Sequence, residues 1–198
     1  MGLHPQVWRA NELLKASLPA IPTGFAALDE QLSGGGWPQG ALTEILLSNE
    51  GIGELRLLMP ALAQLSQQQR WLAWIAPPYI PYAPALAASG VDLSRVLLIH
   101  PRANKDGLWA IEQALRSGTC SAVMVWLAAN DQRLQRRLQL AAEAGHCACF
   151  LFRDERTALR TSYAALRLRL EAVNEGLKVH ILKRRGGWAG APIVLSNL

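Results

Sequence analysis

The sequence has no apolar run long enough to cross a membrane. Its longest runs, such as Ala83–Ala88 and Ser121–Ala129, fall well short of the about 18–20 residues that span a bilayer. The stretch Met1–Leu14 is charged and has no long apolar segment before a small-residue cleavage site, unlike a signal peptide. These absences predict a cytoplasmic protein with no membrane partner.

Cysteine is also scarce. The chain has three cysteines, and Cys147 and Cys149 lie two apart in an apolar, strand-like run, which points both to one face. No second pair of Cys or His stands at ligand spacing, so buried reduced thiols are favoured over a zinc site. The four histidines have no paired acid or nucleophile in motif spacing. The sequence therefore predicts no metal site and no catalytic residue.

Apolar residues, by contrast, are abundant: 51% of the 198 residues are hydrophobic and 18% are charged. This composition is that of one globular domain with a core of its own. The net charge of +5 is uneven, with 8 Lys/Arg against 10 Asp/Glu through residue 132 and 12 against 5 from Arg133 onward. The basic C-terminal part indicates a face for nucleic acid or an acidic partner, or simply a solvated face.

Strand-like segments alternate with helical patterns, which predicts parallel βαβ units. The predicted strands are Leu42–Leu47, Arg70–Ala76, Val96–His100, Ala122–Leu127 and Cys147–Phe152. The predicted helices are Leu55–Gln68, Ala83–Ser89, Trp109–Ser117 and Asp131–Ala144. Later segments at Tyr163–Val173, Leu177–Leu182 and Pro192–Leu195 predict antiparallel strands. We expect an α/β fold with a mostly parallel sheet, helices on both faces and antiparallel edge strands at the C-terminus.

Two parts of the chain are distinguished by their patterns. Residues 1–20 are expected to form an N-terminal helical segment, with a short amphipathic helix at Val7–Leu18 that Pro19 ends. Residues 21–198 show no internal repeat or linker and are expected to form a single domain.

The segment after Leu42–Leu47 lies where a nucleoside triphosphatase has its phosphate loop. That chemistry needs glycines whose N–H groups face the phosphates, a lysine for the β/γ oxygens and a hydroxyl for magnesium. In the frame Gly-x-x-x-x-Gly-Lys-Thr, this chain has Ser48 first, keeps Gly53, and places Glu54 and Leu55 at the last two positions. The carboxylate repels phosphate, so we expect no ATP and no other cofactor.

The stretch Ile21–Leu47 resembles the approach to this loop in bacterial RecA recombinases. The resemblance rests on Thr23-Gly24 with Leu28-Asp29, the Gly-rich turn up to Gly40, and Thr43-Glu44-Ile45, and it continues over Trp74–Asp92 and Ser121–Asn130. It places the catalytic glutamate of RecA at Pro78 and the Walker B aspartate at Trp126. The resemblance implies a RecA-like core without ATP hydrolysis, so the chain is not expected to be an enzyme.

The whole chain also resembles ImuA, a RecA- and SulA-like accessory protein of damage-inducible translesion DNA synthesis. The residues that carry this resemblance are Val7-Trp8-Arg9-Ala10, Gly34-Gly35-Gly36-Trp37-Pro38, Thr43-Glu44-Ile45-Leu46, Gly51-Ile52-Gly53-Glu54-Leu55 and Arg184-Arg185-Gly186-Gly187. It implies a non-catalytic protein of the SOS response that binds ImuB and an error-prone DnaE-type polymerase. RecA is a further expected partner, because a degenerate copy of a filament subunit can dock on a filament end.

The middle of the chain resembles SulA, the SOS-induced inhibitor that binds the division protein FtsZ. The matching residues are Arg70-Trp71, Trp74, Ser89-Gly90, Leu115-Arg116-Ser117-Gly118 and Trp126-Leu127-Ala128. Of the positions tied to FtsZ binding, Arg70 and Arg95 keep the charge and Ile75 stays apolar, but a tryptophan is replaced by Ala85. Losing an aromatic anchor commonly costs an interface about 2 kcal/mol or more. We therefore expect ImuA-type function, with SulA-type inhibition as the alternative.

Eight residues are candidates for contacting a partner: Trp8, Trp37, Tyr79, Tyr82, Arg70, Arg95, Arg184 and Arg185. Trp8 and Trp37 are near predicted surface turns, where aromatic residues anchor interfaces. Tyr79 and Tyr82 lie in a proline-stiffened segment that is either a recognition strip or a packed connector. Arg184 and Arg185 belong to the basic face, where DNA contact is a possibility. Core packing is expected for the remaining strand tryptophans, Trp71, Trp74 and Trp126.

Overall fold

The chain is built around one eight-stranded sheet, seen in a computed structural model that describes residues 19–126, 131–187 and 190–196. In chain order the strands are β1 (Ala20–Ile21), β2 (Trp37–Pro38), β3 (Leu42–Leu47), β4 (Trp71–Ile75), β5 (Val96–Ile99), β6 (Cys120–Val125), β7 (Ala148–Asp154), β8 (Leu166–Val173), β9 (Gly176–Arg184) and β10 (Ile193–Leu195). β1 and β2 pair separately, and the sheet order is β10-β9-β8-β3-β7-β6-β4-β5. The strands from β8 to β5 are parallel, and β9 and β10 add antiparallel pairs. The predicted mixed α/β fold with a mostly parallel sheet is confirmed.

Helices cover both faces of the sheet. They are α1 (Ala26–Asp29), α2 (Glu54–Ser66), α3 (Ala83–Ala88), α4 (Asn104–Arg116) and α5 (Gln132–Gly145), with short 3-10 turns at Leu93–Arg95 and Glu155–Thr157. α2 and α3 place Leu62 and Leu86 in one hydrophobic core. α4 and α5 place Ile111 and Leu138 in a second core.

The two cores lie on opposite faces because successive side chains of a strand point in opposite directions. In β4, Leu72 and Trp74 belong to the first core, whereas Ala73 and Ile75 belong to the second. Both faces of β4 are therefore apolar, which is why this strand reads as a continuous apolar run in the sequence.

Most predicted elements lie within a few residues of the observed ones, and β3 has the predicted bounds. α4 is an exception, since it begins at Asn104 rather than at Trp109. Its first turn, residues 104–107, is polar and has no apolar spacing to indicate a helix. β1 and β2 were not predicted, because strands of two residues carry no periodicity.

Trp37 and Trp71 differ in burial from what the sequence predicted. Trp37 is fully buried, so its predicted position at a surface turn is wrong. Its pairing with Ile21 folds the indole onto the sheet, where it meets Phe150 edge to face with ring centroids 5.5 Å apart. Trp71, expected in the core, is instead exposed. Trp8 and the predicted N-terminal helix lie outside the described residues.

Neither a membrane-spanning helix nor a metal cluster is found in the described ranges. No helix there is long and apolar enough to cross a bilayer. No group of three or more His, Cys, Asp or Glu side chains in those ranges is placed to hold a metal ion.

Candidate functional site

The loop between β3 and α2 is closed by a side chain of its own. Glu54, the first residue of α2, accepts hydrogen bonds from the N–H groups of Gly51 (2.8 Å) and Gly53 (3.1 Å). Gly53 has a φ of 113°, a left-handed conformation that favours glycine. The carboxylate is buried and lies at a helix N-terminus, where a negative charge is stabilised. The sequence predicted that Glu54 repels phosphate. In the structure, the Gly51 and Gly53 N–H groups of the loop are also already hydrogen-bonded to the Glu54 carboxylate.

We predict that replacing Glu54 with alanine lowers the free energy of unfolding by about 1–2 kcal/mol, because two hydrogen bonds to a charged group and a helix-terminal charge are lost. Urea denaturation followed by circular dichroism measures this loss. Glu50 is exposed in the same loop and gives the matched control, Glu50→Ala. An equal loss in both variants would contradict a specific role for the Glu54 carboxylate.

Trp126 and Pro78 occupy the two positions where the RecA resemblance places the Walker B aspartate and the catalytic glutamate. Trp126 is stacked between Trp74 and Phe152, with ring centroids 5.6 Å and 4.5 Å away. Pro78 is exposed in the segment after β4. An indole packed on both faces fills the end of β6, where the resemblance placed the Walker B carboxylate.

The structure gathers exposed apolar side chains along one edge of the sheet. We call this the edge surface: the segment Pro77–Tyr82, α3, the 3-10 turn Leu93–Arg95 and the edge strand β5. It holds six of the thirteen exposed large apolar side chains of the described residues, namely Tyr79, Ile80, Tyr82, Leu93, Leu97 and Leu98. An exposed apolar concentration of this kind marks an interaction site more often than scattered single residues do.

Local geometry explains why the segment after β4 points outward. Ala76 has a φ of 53°, an unusual left-handed conformation for a residue with a Cβ, and its N–H donates to the carbonyl of Ile99 at 2.9 Å. The chain therefore turns directly beside the end of β5. Pro77 is buried, whereas Tyr79 and Tyr82 are each 73% exposed. Neither tyrosine is therefore packed in the core, and a role of this segment in recognition stays a prediction.

The turn that leads into β5 is held by a side-chain cap. Asp92 accepts hydrogen bonds from the Ser94 hydroxyl (2.7 Å) and the Ser94 N–H (2.9 Å). These bonds hold the pKa of Asp92 below its usual value, so the cap is ionised at neutral pH. Leu93 and Arg95 are consequently presented from a fixed turn that contacts α3.

The residues carried over from the SulA resemblance fall into two groups. Ala85, exposed on α3, and Arg95, half-buried in the 3-10 turn, lie on the edge surface. Ile75 is fully buried in the second core, and Arg70 lies before β4 and donates to the carbonyl of Gly145 at 3.0 Å. Ile75 therefore has a packing role, and Arg70 lies at the opposite end of β4 from the exposed tyrosines.

The predicted basic face is smaller than the sequence indicated. Arg184 is half-buried, and its guanidinium donates to the carbonyl of Gln31. Arg185 is exposed, and its carbonyl accepts a 2.5 Å hydrogen bond from the Ser33 hydroxyl. Arg167, on the neighbouring strand β8 of the same basic part of the chain, is buried.

A buried ion cluster explains the position of Arg167. The fully buried Glu44 on β3 contacts Nη1 of Arg153 and Nε of Arg167, each at 2.5 Å. In the parallel register Glu44 lies directly beside Arg167 of β8, and Arg153 is on the other neighbouring strand, β7. Arg167 also donates to the carbonyls of Thr157, Ala158 and Arg160. Sequence reasoning missed this cluster, and the one available signal was a glutamate inside an otherwise apolar strand.

The cysteines have no reactive character. Burial raises the pKa of Cys149 to about 12, and burial also raises the pKa values of Cys120 and Cys147. All three thiols are free and buried, as predicted. They are therefore protonated at neutral pH and serve as apolar packing groups.

Comparison with known proteins assigns the family. The family model described as "Cell division inhibitor SulA" matches residues 40–149, more than half of the chain. This chain belongs to the SulA family. The matched stretch contains the whole edge surface and ends before the C-terminal strands β8 to β10.

Individual SulA proteins show the same extent of similarity. The cell division inhibitor SulA of Edwardsiella piscicida is 35% identical over 120 residues, which cover 61% of this chain and 70% of that protein. SulA of Klebsiella aerogenes is 35% identical over 125 residues, covering 63% and 69%. The crystal structure of SulA from Pseudomonas aeruginosa is 31% identical, covers 56% of this chain and 96% of that one, and gives a TM-score of 0.47.

The SulA match overturns the predicted ImuA-type role in translesion synthesis. That prediction rested on short motifs spread over the whole chain and on the replacement of a tryptophan by Ala85. The SulA similarity instead rests on 110 consecutive residues of the core, from 40 to 149. The description of the family names an inhibitor, which agrees with the expectation that the chain is not an enzyme.

Proposed function

We propose that this protein is an SOS-induced inhibitor of cell division that acts in the cytoplasm by binding FtsZ. The observation that carries this proposal is that the SulA-matched stretch contains the full edge surface. The SulA resemblance ties Arg95 and the position of Ala85 to FtsZ binding, and both lie on this surface.

The chemistry of the edge surface suits a protein partner. Tyrosine side chains supply large contact areas and are frequent at the energetic centres of interfaces. Tyr79 and Tyr82 are carried by a segment with three prolines, which loses little conformational freedom on binding. Leu98 extends the apolar area on the first-core face of the edge strand, the face that α3 packs against, whereas Leu97 points to the opposite face. Arg95 adds a positive charge in the turn before this strand. We infer that Tyr79 and Tyr82 compensate for the aromatic residue that is missing at Ala85.

FtsZ polymerisation tests the proposal directly. Purified FtsZ is mixed with GTP and increasing amounts of this protein, and polymer formation is followed by light scattering. We expect assembly to fall in proportion to the added protein and to stop near stoichiometric amounts. Unchanged assembly at stoichiometric protein rules the proposal out.

We further propose that the core of this chain is a degenerate RecA-like core. Inhibition of cell division would then need no nucleotide bound to this chain. The sequence of β3, a glycine-containing loop and α2 supports a RecA-like origin. The Glu54 carboxylate that fills the loop, and Trp126 at the end of β6, support the loss of nucleotide chemistry.

A further inference from the structure

A cavity opens on the second-core face of the sheet, away from the edge surface. It has a volume of about 270 Å³ and is lined by Gln132, Gln135, Arg153, Arg160 and Thr161. Arg153 comes from the carboxyl end of β7, the two glutamines come from the first turn of α5, and the other two residues come from the β7–β8 connector. Ligands of parallel α/β sheets usually bind outside the carboxyl ends of the strands.

Each of the five described side chains that line the cavity can donate hydrogen bonds, and none of them is a carboxylate. Two guanidinium groups, two primary amides and one hydroxyl face it, and the amide of Gln132 donates to the Thr161 hydroxyl. The N-terminus of α5, with its partial positive charge, is part of the same wall. Asp131 lies next to it, but its carboxylate is exposed and caps the N–H of Arg133 at 2.9 Å.

The buried charges behind this wall have a net positive sum. Glu44 supplies one carboxylate to two guanidiniums, those of Arg153 and Arg167, so the buried cluster carries a charge of +1. The Arg153 side chain is only 3% exposed, where charges interact more strongly than in water. Arg160 adds a second positive charge at the mouth of the cavity. Anions are therefore attracted to this cavity.

We propose that this cavity binds a small phosphorylated anion. Guanidinium groups present paired donors that match the oxygens of phosphate, and the amide N–H groups and the hydroxyl can add further donors. The volume is close to the lower end of small-molecule pockets, which leaves room for an organic group beside the phosphate. Three of the five lining residues lie after residue 149, outside the SulA-matched stretch. The site is independent of the proposed FtsZ interface.

Titration of phosphate into the protein tests the site. Thermal unfolding is measured with inorganic phosphate or glycerol phosphate, at an ionic strength held constant with chloride. We expect the stabilisation of the natural protein to saturate as phosphate is added. We expect Arg160→Gln to bind phosphate about tenfold more weakly, because one charge-assisted contact is lost. The matched control is Arg156→Gln, which removes an equally charged and 90% exposed side chain from the same connector without touching the cavity.

The two phosphates distinguish the source of the anion. Tighter binding of glycerol phosphate assigns a phosphorylated metabolite, and tighter binding of inorganic phosphate assigns the free ion. Stabilisation that does not saturate, or that falls equally in Arg160→Gln and Arg156→Gln, overturns the proposal, because it reports net charge or a general salt effect. Gln132→Glu, which adds a carboxylate to the wall, is expected to abolish binding and gives a second, independent variant.

Discussion

Replacing Glu44 with leucine is expected to lower the free energy of unfolding by about 3–5 kcal/mol, because Arg153 and Arg167 are then buried without their shared carboxylate. Arg167 keeps its bonds to three backbone carbonyls, but these carry no full charge. Guanidinium denaturation measures the loss. The expected effect is a large part of the total stability of a domain of this size.

A surface cluster of the same composition provides the control. Glu112 also contacts two arginines, Arg137 at 2.5 Å and Arg116 at 3.5 Å, but both arginines are more than half exposed. Glu112→Leu is expected to cost no more than about 1 kcal/mol. A further variant, Glu44→Leu with Arg153→Met and Arg167→Met, is expected to regain most of the stability, since no buried charge remains. If Glu44→Leu costs no more than Glu112→Leu, the buried cluster does not stabilise the fold.

Changing Ile80 to aspartate and Tyr82 to alanine together is expected to raise the concentration needed to inhibit FtsZ assembly by at least about 30-fold. This factor corresponds to about 2 kcal/mol, the loss typical of one central interface residue. Ile80 is 78% exposed, so a charge there does not disturb the core. The measurement is a light-scattering titration of FtsZ with the natural protein and the double variant.

The control for this pair is Leu159→Asp. Leu159 is fully exposed and lies outside the SulA-matched stretch, so it tests whether any new surface charge weakens inhibition. We expect Leu159→Asp to inhibit like the natural protein and all variants to share its thermal midpoint. Undiminished inhibition by the double variant would place the FtsZ contact elsewhere on the molecule.

The fold was largely predictable because its strands are buried on both faces. Segments such as Ala148–Phe152 are therefore uninterrupted apolar runs, and their short length separates them from the helices. What failed was local structure without periodicity. Tertiary contacts determine the polar first turn of α4 and the short strands β1 and β2. The pairing of β1 with β2 is also what buries Trp37.

The candidate sites were less predictable, because they depend on residues far apart in the chain. Tyr79 and Tyr82 were identified from their prolines, but only the structure places their segment beside the end of the edge strand, where the Ala76 N–H donates to the Ile99 carbonyl. In the Glu44 cluster, Arg153 and Arg167 follow Glu44 by 109 and 123 residues in the sequence. No spacing rule predicts contacts between residues so far apart. The family was misjudged for a different reason: short motifs spread over the chain and the substituted position Ala85 counted for more than the shared core.

The position of the Glu54 carboxylate bears on how the stability of this protein depends on nucleotide concentration. A domain that folds around a nucleotide gains stability with the logarithm of ligand concentration, and it loses that gain when the pool is depleted. Glu54 is joined covalently to the loop it fills, so this anion is present at a constant and high effective concentration. Under the proposed nucleotide-free function, the folded fraction of the protein therefore does not depend on the size of the nucleotide pool.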